Sequence, residues 1–294
     1  MSSLDDLDAF AAVARHRSFR RAAAARGVSA STLSQALRDL EARLEVRLLN
    51  RTTRSVGLTE AGARLLERLS PALADIAAAM DQVHAERGVP AGSVRINAPE
   101  PAVELVLAPM VAPFLAAYPQ VRLEIIAETA FVDIVAQGYD AGVRWGESLA
   151  QDMIAVPIAG PQRFCVVASP ELIARTGVPQ RPQDLLAQPC LRTRFPSGVR
   201  PAWEFQRDGK DLKIEPEGPL TSSSTRLQLA AALAGVGFFS TFEGHVTEHI
   251  AAGRLVSVLE DWLPPFPGPF LYYPSRRHVP AALRAFIDFA RVKS

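Results

Sequence analysis

The sequence predicts an all-α N-terminal module, a long connecting helix and a C-terminal α/β domain. Apolar residues recur at helical spacing over residues 4–48 and at near-heptad steps over 58–83, and strand and helix patterns alternate after Gly92. Of the 294 residues, 48% are apolar, which is enough to build packed cores and excludes a globally disordered chain. We therefore expect two or three domains.

The first 57 residues contain a helix-turn-helix pattern. Residues 19–26 predict a short helix, and Gly27 supplies the turn because glycine adopts left-handed backbone angles readily. Ser29 then stands at the N-cap of a second helix, with leucines on one side and hydroxyl, amide and guanidinium groups on the other. Such a helix can enter a DNA major groove and reach base edges. The residues expected to face DNA are Ser29, Ser31, Thr32, Ser34, Gln35 and Arg38.

A polar basic loop over residues 50–57 follows this helix and is typical of a wing. We expect Arg51 and Arg54 to touch phosphate or the minor groove. Residues 1–57 hold ten Arg and six Asp or Glu, a local net charge of +4, whereas the whole chain carries only +1. The charge is therefore concentrated where DNA contact is expected, and the chain as a whole is not a general polyanion binder.

A long helix is expected from Thr59 to about Arg87, with a kink at Pro71 because proline removes a backbone hydrogen bond. Its apolar residues recur at steps whose mean is close to a heptad, a pattern that favours pairing with a second copy of the same helix. The segment 88–92, rich in Gly and Pro, is the expected domain boundary. The residues expected at the dimer contact are Leu65, Leu69, Leu73, Ile76 and Met80.

Beyond Gly92 the pattern is that of an α/β sheet with helices on both faces. A short helix is expected near 131–137, a hairpin over 205–214 with Asp208-Gly209 at its turn, and a capping box over 240–243 that starts another helix. The other expected strands lie at 94–98, 121–127, 140–145, 163–169, 236–240 and 270–273. The main helices are expected between the strand at 94–98 and about Tyr118, over 226–234 and over 280–292.

Several runs resemble LysR-type transcriptional regulators in order and spacing, and the likeness extends over the full length. The N-terminal runs are Phe19-Arg20-Arg21-Ala22-Ala23, Val28-Ser29, Leu40-Glu41, Arg51-Thr52-Thr53-Arg54 and Leu58-Thr59-Glu60-Ala61-Gly62. The C-terminal runs are Phe195-Pro196-Ser197-Gly198, Trp203-Glu204-Phe205, 232–237 and 272–277.

The resemblance implies a winged helix-turn-helix over 1–58, a linker helix for dimerisation over 59–90 and an effector domain over 91–294. It implies that the effector domain is periplasmic-binding-protein-like (type 2), with two subdomains that the chain crosses twice. We expect the crossings near 159–163 and 263–268, which gives subdomain I as about 92–161 plus 267–294 and subdomain II as 162–266. The implied function is sequence-specific regulation of transcription, with DNA binding or bending modulated by a small-molecule effector.

The implied partners are double-stranded DNA with an interrupted palindromic site, the effector, and a second copy in a homodimer or homotetramer. RNA polymerase is left open as a further partner, and no membrane partner, metal, cofactor or catalytic residue is expected. The chain has no basic segment followed by an apolar run and no stretch of about 18 consecutive apolar residues, so we expect a cytoplasmic protein.

The effector cleft is expected where strands end and helices begin, between the subdomains. Glu100 and Pro101 argue against a carboxylate effector, because a fixed negative charge repels an anion and proline lacks an amide donor. Trp145 and Phe195 favour an aromatic or apolar ligand instead. The expected cleft residues are Pro99, Glu100, Trp145, Thr193, Phe195, Ser222, Ser223 and Thr241.

Three alternatives remain open from the residues alone. The run His245-Val246-Thr247-Glu248-His249 matches an inverted zinc-peptidase pattern, which would suit an enzyme or small-molecule-binding protein with an accessory N-terminal module. Cys190 lies near Arg192 and Arg194 and is a candidate redox thiol, although two cysteines make no disulfide framework. A third alternative is a dimerisation module whose helix-turn-helix no longer binds DNA.

Overall fold

The computed structural model describes residues 4–51, 56–85, 90–128, 132–135, 137–146, 152–275 and 279–291. Its N-terminal module packs three helices against a two-stranded wing and the start of a long helix. The elements are α1 (Leu4–His16), α2 (Phe19–Arg26), α3 (Ala30–Leu44), β1 (Leu49–Arg51), β2 (Val56–Leu58) and α4 (Glu60–Ala85).

Helix caps define the turn between α2 and α3, as the sequence predicted. Ser18 caps α2, which ends at Gly27 in the left-handed conformation with φ 67°. The Ser29 hydroxyl then accepts a hydrogen bond from the Thr32 backbone N–H at 3.0 Å and starts α3. Pro71 lies inside α4, which continues through it.

The first sheet of the α/β part has five strands in the order β4-β3-β5-β14-β6. β14 reaches it from the far end of the chain and pairs antiparallel with β5 and β6. Helices α6 and α10 cover the apolar face, where Phe114 and Phe286 pack edge to face. The elements are β3 (Gly92–Ala98), α5 (Glu100–Ala102), a π turn (Val103–Leu107), α6 (Ala108–Ala117), β4 (Val121–Ala127), β5 (Ala141–Arg144), β6 (Met153–Pro157), β14 (Phe270–Pro274) and α10 (Ala281–Ala290).

The second sheet also has five strands, in the order β11-β8-β12-β7-β13, with the hairpin β9-β10 packed beside it. Two crossing segments connect the sheets, and the backbones of Gln162 and Phe266 exchange hydrogen bonds of 2.9 and 2.8 Å. The elements are β7 (Phe164–Ala168), α7 (Pro170–Thr176), β8 (Cys190–Thr193), β9 (Trp203–Arg207), β10 (Lys210–Ile214), β11 (Leu220–Ser222), α8 (Thr225–Leu233), β12 (Phe238–Phe242), α9 (Thr247–Ala251) and β13 (Val256–Val258), with 3-10 turns at Pro182–Ala187, Glu243–His245 and Glu260–Trp262.

The predicted hairpin is confirmed, with Lys210 opposite Arg207 across the Asp208-Gly209 turn. Two local predictions are wrong. The described residues of 131–137 lie in turns or irregular backbone instead of a helix, and the expected capping box at 240–243 lies largely within β12, which pairs with β7. Sheet pairing has overridden the local capping signal there.

The helix pair α5–α6 with its π turn spans 18 residues, Glu100–Ala117, and its mean hydropathy is 1.4. By length and composition alone this stretch could cross a membrane, which the sequence pattern had not suggested. Within the fold, Phe114 and Leu107 are fully buried against the first sheet, as in a helix that covers an α/β core.

Candidate DNA interface and effector cleft

The two sides of α3 differ sharply in exposure. Leu33, Leu37 and Leu40 are at most 2% exposed and form the centre of the N-terminal core. On the other side, the Ser29 hydroxyl lies 2.7 Å from the Ser31 hydroxyl and 2.8 Å from the Thr32 hydroxyl. All three of these residues are exposed, so the cluster of hydroxyl groups at the start of α3 is open to solvent.

Further along the exposed side, Gln35 is held between two neighbours. Its amide nitrogen donates to the Asp39 carboxylate at 2.8 Å, and its amide oxygen accepts from Arg38 at 2.8 Å. Each end of the amide keeps one further hydrogen-bonding position, as contact with an adenine edge requires. Asp39 was not among the predicted residues, although its position four residues after Gln35 could have indicated the contact.

Of the two arginines predicted in the wing, Arg51 lies within the described residues. Arg51 pairs with Glu41 at 2.8 Å and lies over the Phe19 ring at 5.0 Å. Glu41 belongs to the Leu40-Glu41 run of the family pattern, and its contact with Arg51 was not predicted. Arg54 lies outside the described residues, so its expected DNA contact stays a prediction.

The leucines predicted at the dimer contact pack against the hydrophobic core of the N-terminal module. Leu69 is 8% exposed, and Leu65 and Leu73 are partly buried against the same cluster as Leu37. Ile76 is 40% exposed, in keeping with a position that a second copy could cover. The predicted dimer residue Met80 has its side chain outside the described part of the chain.

In the α/β part, one group of predicted cleft residues lines a cavity of about 330 Å³. Ser222 ends β11 directly beside Thr193 at the end of β8, in a parallel pair. Thr193 itself lies 3.4 Å from the amide oxygen of Gln228, a nearly inaccessible residue. The lining of the cavity consists of Arg194, Phe195, Pro196, Thr221, Ser222 and Ser223.

A second group meets at a seam where the two sheets approach each other, which we call the cleft seam (Glu104, Trp145, Thr241, Phe242 and His245). Trp145 follows the first sheet's β5 and stacks on Phe242 of β12, with ring centroids 4.9 Å apart and planes at 30°. The indole N–H of Trp145 donates to Gln162 in a crossing segment at 3.0 Å. Pro99 is the N-cap of α5 and Glu100 is its first residue, on the same helical stretch as Glu104; Glu100 is exposed.

The polar part of the cleft seam joins three side chains. The Thr241 hydroxyl lies 2.9 Å from Nδ1 of His245, and Nε2 of the same ring lies 3.2 Å from the Glu104 carboxylate. This second approach is a close electrostatic contact and not a well-directed hydrogen bond, since Nε2 has no hydrogen-bond partner. Burial lowers the pKa of His245 below its usual value, and Glu104 opposes this shift.

Of the residues at the cleft seam, Trp145 and Thr241 were predicted from the sequence as cleft residues. Glu104, Phe242 and His245 were not predicted as members of this site. The contacts Glu104–His245 and Trp145–Phe242 join residues more than 90 positions apart in the chain, so no local pattern reveals them. Thr241 and His245 are only four positions apart, and that spacing could have indicated their contact.

The zinc-peptidase pattern at 245–249 does not lie on one continuous helix in the structure. His245 belongs to a 3-10 turn and His249 to α9, and the backbone of Val246 between them leaves the helical conformation at φ −124° and ψ −3°. Among the described residues no three His, Cys, Asp or Glu side chains are grouped as metal ligands.

Both cysteines are buried structural residues. Cys165 is 3% exposed and Cys190 is fully buried. Burial raises the pKa of each thiol to about 12, which leaves almost no reactive thiolate at neutral pH. Arg192, two positions further along β8, opposes this shift of the Cys190 pKa without reversing it.

Comparison with known proteins gives the same architecture. Residues 4–63 match the family described as bacterial regulatory helix-turn-helix protein, lysR family, and residues 87–293 match the LysR substrate binding domain. The chain is 41% identical to the transcriptional regulator YcaN of Escherichia coli, over 98% of this chain and 95% of that protein. It is 43% identical to a putative transcriptional regulator of Pseudomonas aeruginosa, with the same coverage of both.

Among solved structures, full-length AphB, a virulence activator of Vibrio cholerae, superposes with a TM-score of 0.65 at 27% identity, covering 98% of each chain. These matches confirm the predicted fold class, a helix-turn-helix followed by a two-sheet effector domain. The chain belongs to the LysR family, as a DNA-binding transcriptional regulator with a C-terminal effector-binding domain.

Proposed function

We propose that this regulator binds an interrupted palindrome in double-stranded DNA as a homodimer or homotetramer, with the exposed side of α3 in the major groove. In this proposal residues 1–58 bind DNA, 59–90 pair with a second copy and 91–294 bind the effector. The observation that carries this proposal is the difference between the two sides of α3: the leucines on one side are buried, whereas Gln35 and Arg38 are exposed on the opposite side.

For the effector we propose a small aromatic or apolar molecule in the cleft. Phe195 offers a ring face beside the hydroxyls of Ser222 and Ser223, which can orient a polar group of the ligand. At the cleft seam, Trp145 offers a second ring surface. The exposed carboxylate of Glu100 at the start of α5 disfavours an effector that carries only negative charge.

Regulation in this proposal is a shift between two arrangements of the effector domain. The two sheets are connected by two crossing segments, so the angle between them can change with little disturbance inside either sheet. A ligand shifts the balance only if it binds one arrangement more tightly than the other. The paired linker helices would convert that change into a different spacing of the DNA-binding modules.

We also propose that the protein works in the cytoplasm without catalysing a reaction, and that RNA polymerase is a partner at the promoter. The relatives' role as DNA-binding transcriptional regulators supports both the location and the absence of catalysis in this proposal.

Footprinting with and without effector tests the proposed mechanism. A thermal-shift screen of the full chain comes first and should identify a ligand, since binding to the folded state raises its stability. The footprint or the DNA bend should then change when that ligand is added. An identical footprint and an unchanged bend would rule out the mechanism, whereas DNA binding itself would stand.

Substitutions on α3 test the DNA-reading surface separately. Gln35→Ala and Arg38→Ala should each weaken specific binding by ~1–3 kcal/mol for every base edge that the side chain reads. The control is Arg122→Ala, at an exposed position on β4 in the other part of the chain. Equal binding of random and specific DNA by the unsubstituted protein at physiological salt would overturn the assignment of this surface.

A further inference from the structure

Arg51 stands at the base of the wing but its charged group turns back toward the helices. It is the last described residue of β1 and pairs with Val56 of β2. Its Nη2 donates to the Glu41 carboxylate at 2.8 Å, and its Nη1 lies 3.4 Å from the Ser34 hydroxyl. The guanidinium carbon lies 5.0 Å above the ring of Phe19. One side chain therefore touches α2, α3 and the wing.

Glu41 completes this arrangement from the other side. Its Oε1 accepts hydrogen bonds from the backbone N–H groups of Leu48 and Leu49 at 2.8 and 3.0 Å, while Oε2 takes Arg51. The side chain is only 14% exposed. The carboxylate thus fastens the segment after α3 to α3 itself, and Arg51 extends that connection to the strand that carries the wing.

The environment of Arg51 suits a positioning role better than a phosphate contact. Its side chain is 29% exposed, its charge faces a carboxylate, and one face of its planar group lies on an aromatic ring. A phosphate would have to compete with Glu41 for the same cation. Contact with Glu41 through one nitrogen and with Ser34 through the other, together with the ring stacking, also requires the planar group of arginine, which lysine lacks.

We propose that Arg51 acts through Glu41 as a positioning residue, setting the angle between the wing and α3 and orienting the Ser34 hydroxyl toward the bases. This changes the role expected from the sequence, which was contact with phosphate or the minor groove. The inference rests on DNA binding by α3 and the wing and specifies how the two are held together.

Salt dependence distinguishes the two roles. Removing one phosphate contact from a protein makes the slope of log K against log salt smaller by about 0.9. We expect Arg51→Lys to bind the specific site about tenfold more weakly with an unchanged slope, because lysine keeps the charge but cannot form the planar interactions. Glu41→Gln should weaken binding similarly, and the double variant should be little worse than either single variant.

The opposite pattern would overturn the proposal. A phosphate contact predicts that Arg51→Lys binds like the unsubstituted protein, that Arg51→Gln reduces the slope, and that Glu41→Gln does not weaken binding. Arg122→Gln is the matched control for removal of an exposed arginine outside the module, and both its affinity and its slope should be unchanged.

Hydroxyl-radical footprints of the same full-length variants add a second measurement. In Arg51→Lys we expect protection of the groove beside the wing to weaken or shift, while protection of the major groove by α3 remains. Uniform weakening of both protections would contradict the positioning role.

If Arg51→Lys fails to fold, Ser34→Ala and Glu41→Gln are used for the test instead. Weaker binding with an unchanged slope of log K against log salt supports the proposal, and normal binding by both variants overturns it. Failure of every variant and of the unsubstituted protein to prefer specific DNA would instead contradict the function assigned to α3.

Discussion

The Glu104 carboxylate lies 3.2 Å from Nε2 of His245, and this contact joins the two sheets of the effector domain. Glu104 belongs to the π turn after α5, whereas His245 follows the last residues of β12. The imidazole is 7% exposed and the carboxylate 49% exposed, so the contact lies where the cleft meets solvent. A change in the angle between the sheets has to alter this contact.

Removing the carboxylate should move the titration of His245 in a defined direction. Glu104 raises the pKa of His245 against the larger effect of burial, so Glu104→Gln should lower that pKa further. The measurement is a pH titration of the imidazole signals by NMR, with His245→Gln identifying the resonance. Glu248→Gln, an exposed neighbour on α9, is the matched control and should leave the titration unchanged. An unchanged or higher pKa in Glu104→Gln would show that the contact is not populated in solution.

The same histidine should contribute to acid sensitivity of the fold. Burial lowers the pKa of His245 in the folded state, so below the usual histidine value of about 6.5 the unfolded state binds protons more readily. The stabilising contribution is complete above that value and diminishes as the pH falls toward the folded pKa. His16, which burial and Arg15 shift in the same direction, contributes with the same sign.

Thermal unfolding between pH 8 and pH 5 measures this effect. We expect Tm to fall on acidification and to fall less steeply in His245→Gln than in the unsubstituted protein. His16→Gln gives a parallel comparison in the N-terminal module. Equal slopes in all three proteins would exclude these two histidines as the source of the dependence.

Both cysteines should be unreactive while the protein is folded. Cys165 and Cys190 are buried and their pKa values are raised to about 12. We expect a thiol-specific reagent at pH 7.5 to label the native protein at less than about one-tenth of the rate seen in denaturant, because the attacking thiolate is scarce and inaccessible. Rapid labelling of Cys190 in the native state would restore the redox alternative.

Local chemistry allowed much of the fold to be predicted from the sequence. The cap at Ser29, the turn at Gly27 and the hairpin at Asp208-Gly209 each depend on a few adjacent residues, and all three are present. The order of strands in each sheet was not predicted, because β14 joins the first sheet from a position more than 100 residues beyond its neighbours.

The candidate sites show the same limit in more detail. Arg51 was correctly placed in the wing, but its partner Glu41 is ten positions away and its ring contact lies on α2. The pattern at 245–249 predicted a shared helix face, whereas the backbone at Val246 separates the two histidines. Residue type and spacing therefore identify candidate side chains, and long-range packing decides what each of them contacts.

Gly62 provides a final test, in which packing and helix propensity act in opposite directions. It lies in the first turn of α4, where alanine would ordinarily stabilise a helix by ~1 kcal/mol relative to glycine. A Cβ atom at this position would lie 2.1 Å from the backbone oxygen of Leu48, which itself accepts a hydrogen bond from the Thr59 N–H at 3.0 Å. In a Gly62→Ala variant the backbone of α4 would therefore have to move away from Leu48, in the segment that leads into the wing.

We expect Gly62→Ala to destabilise the N-terminal module by ~1–3 kcal/mol, as overpacking commonly does, and to weaken DNA binding with it. Gly57→Ala is the matched control, because a Cβ atom at Gly57 on β2 meets only open space. Chemical denaturation of the two variants, followed by circular dichroism and by DNA affinity, measures the difference. If Gly62→Ala is as stable as Gly57→Ala, the close approach between α4 and Leu48 does not determine how the wing is attached.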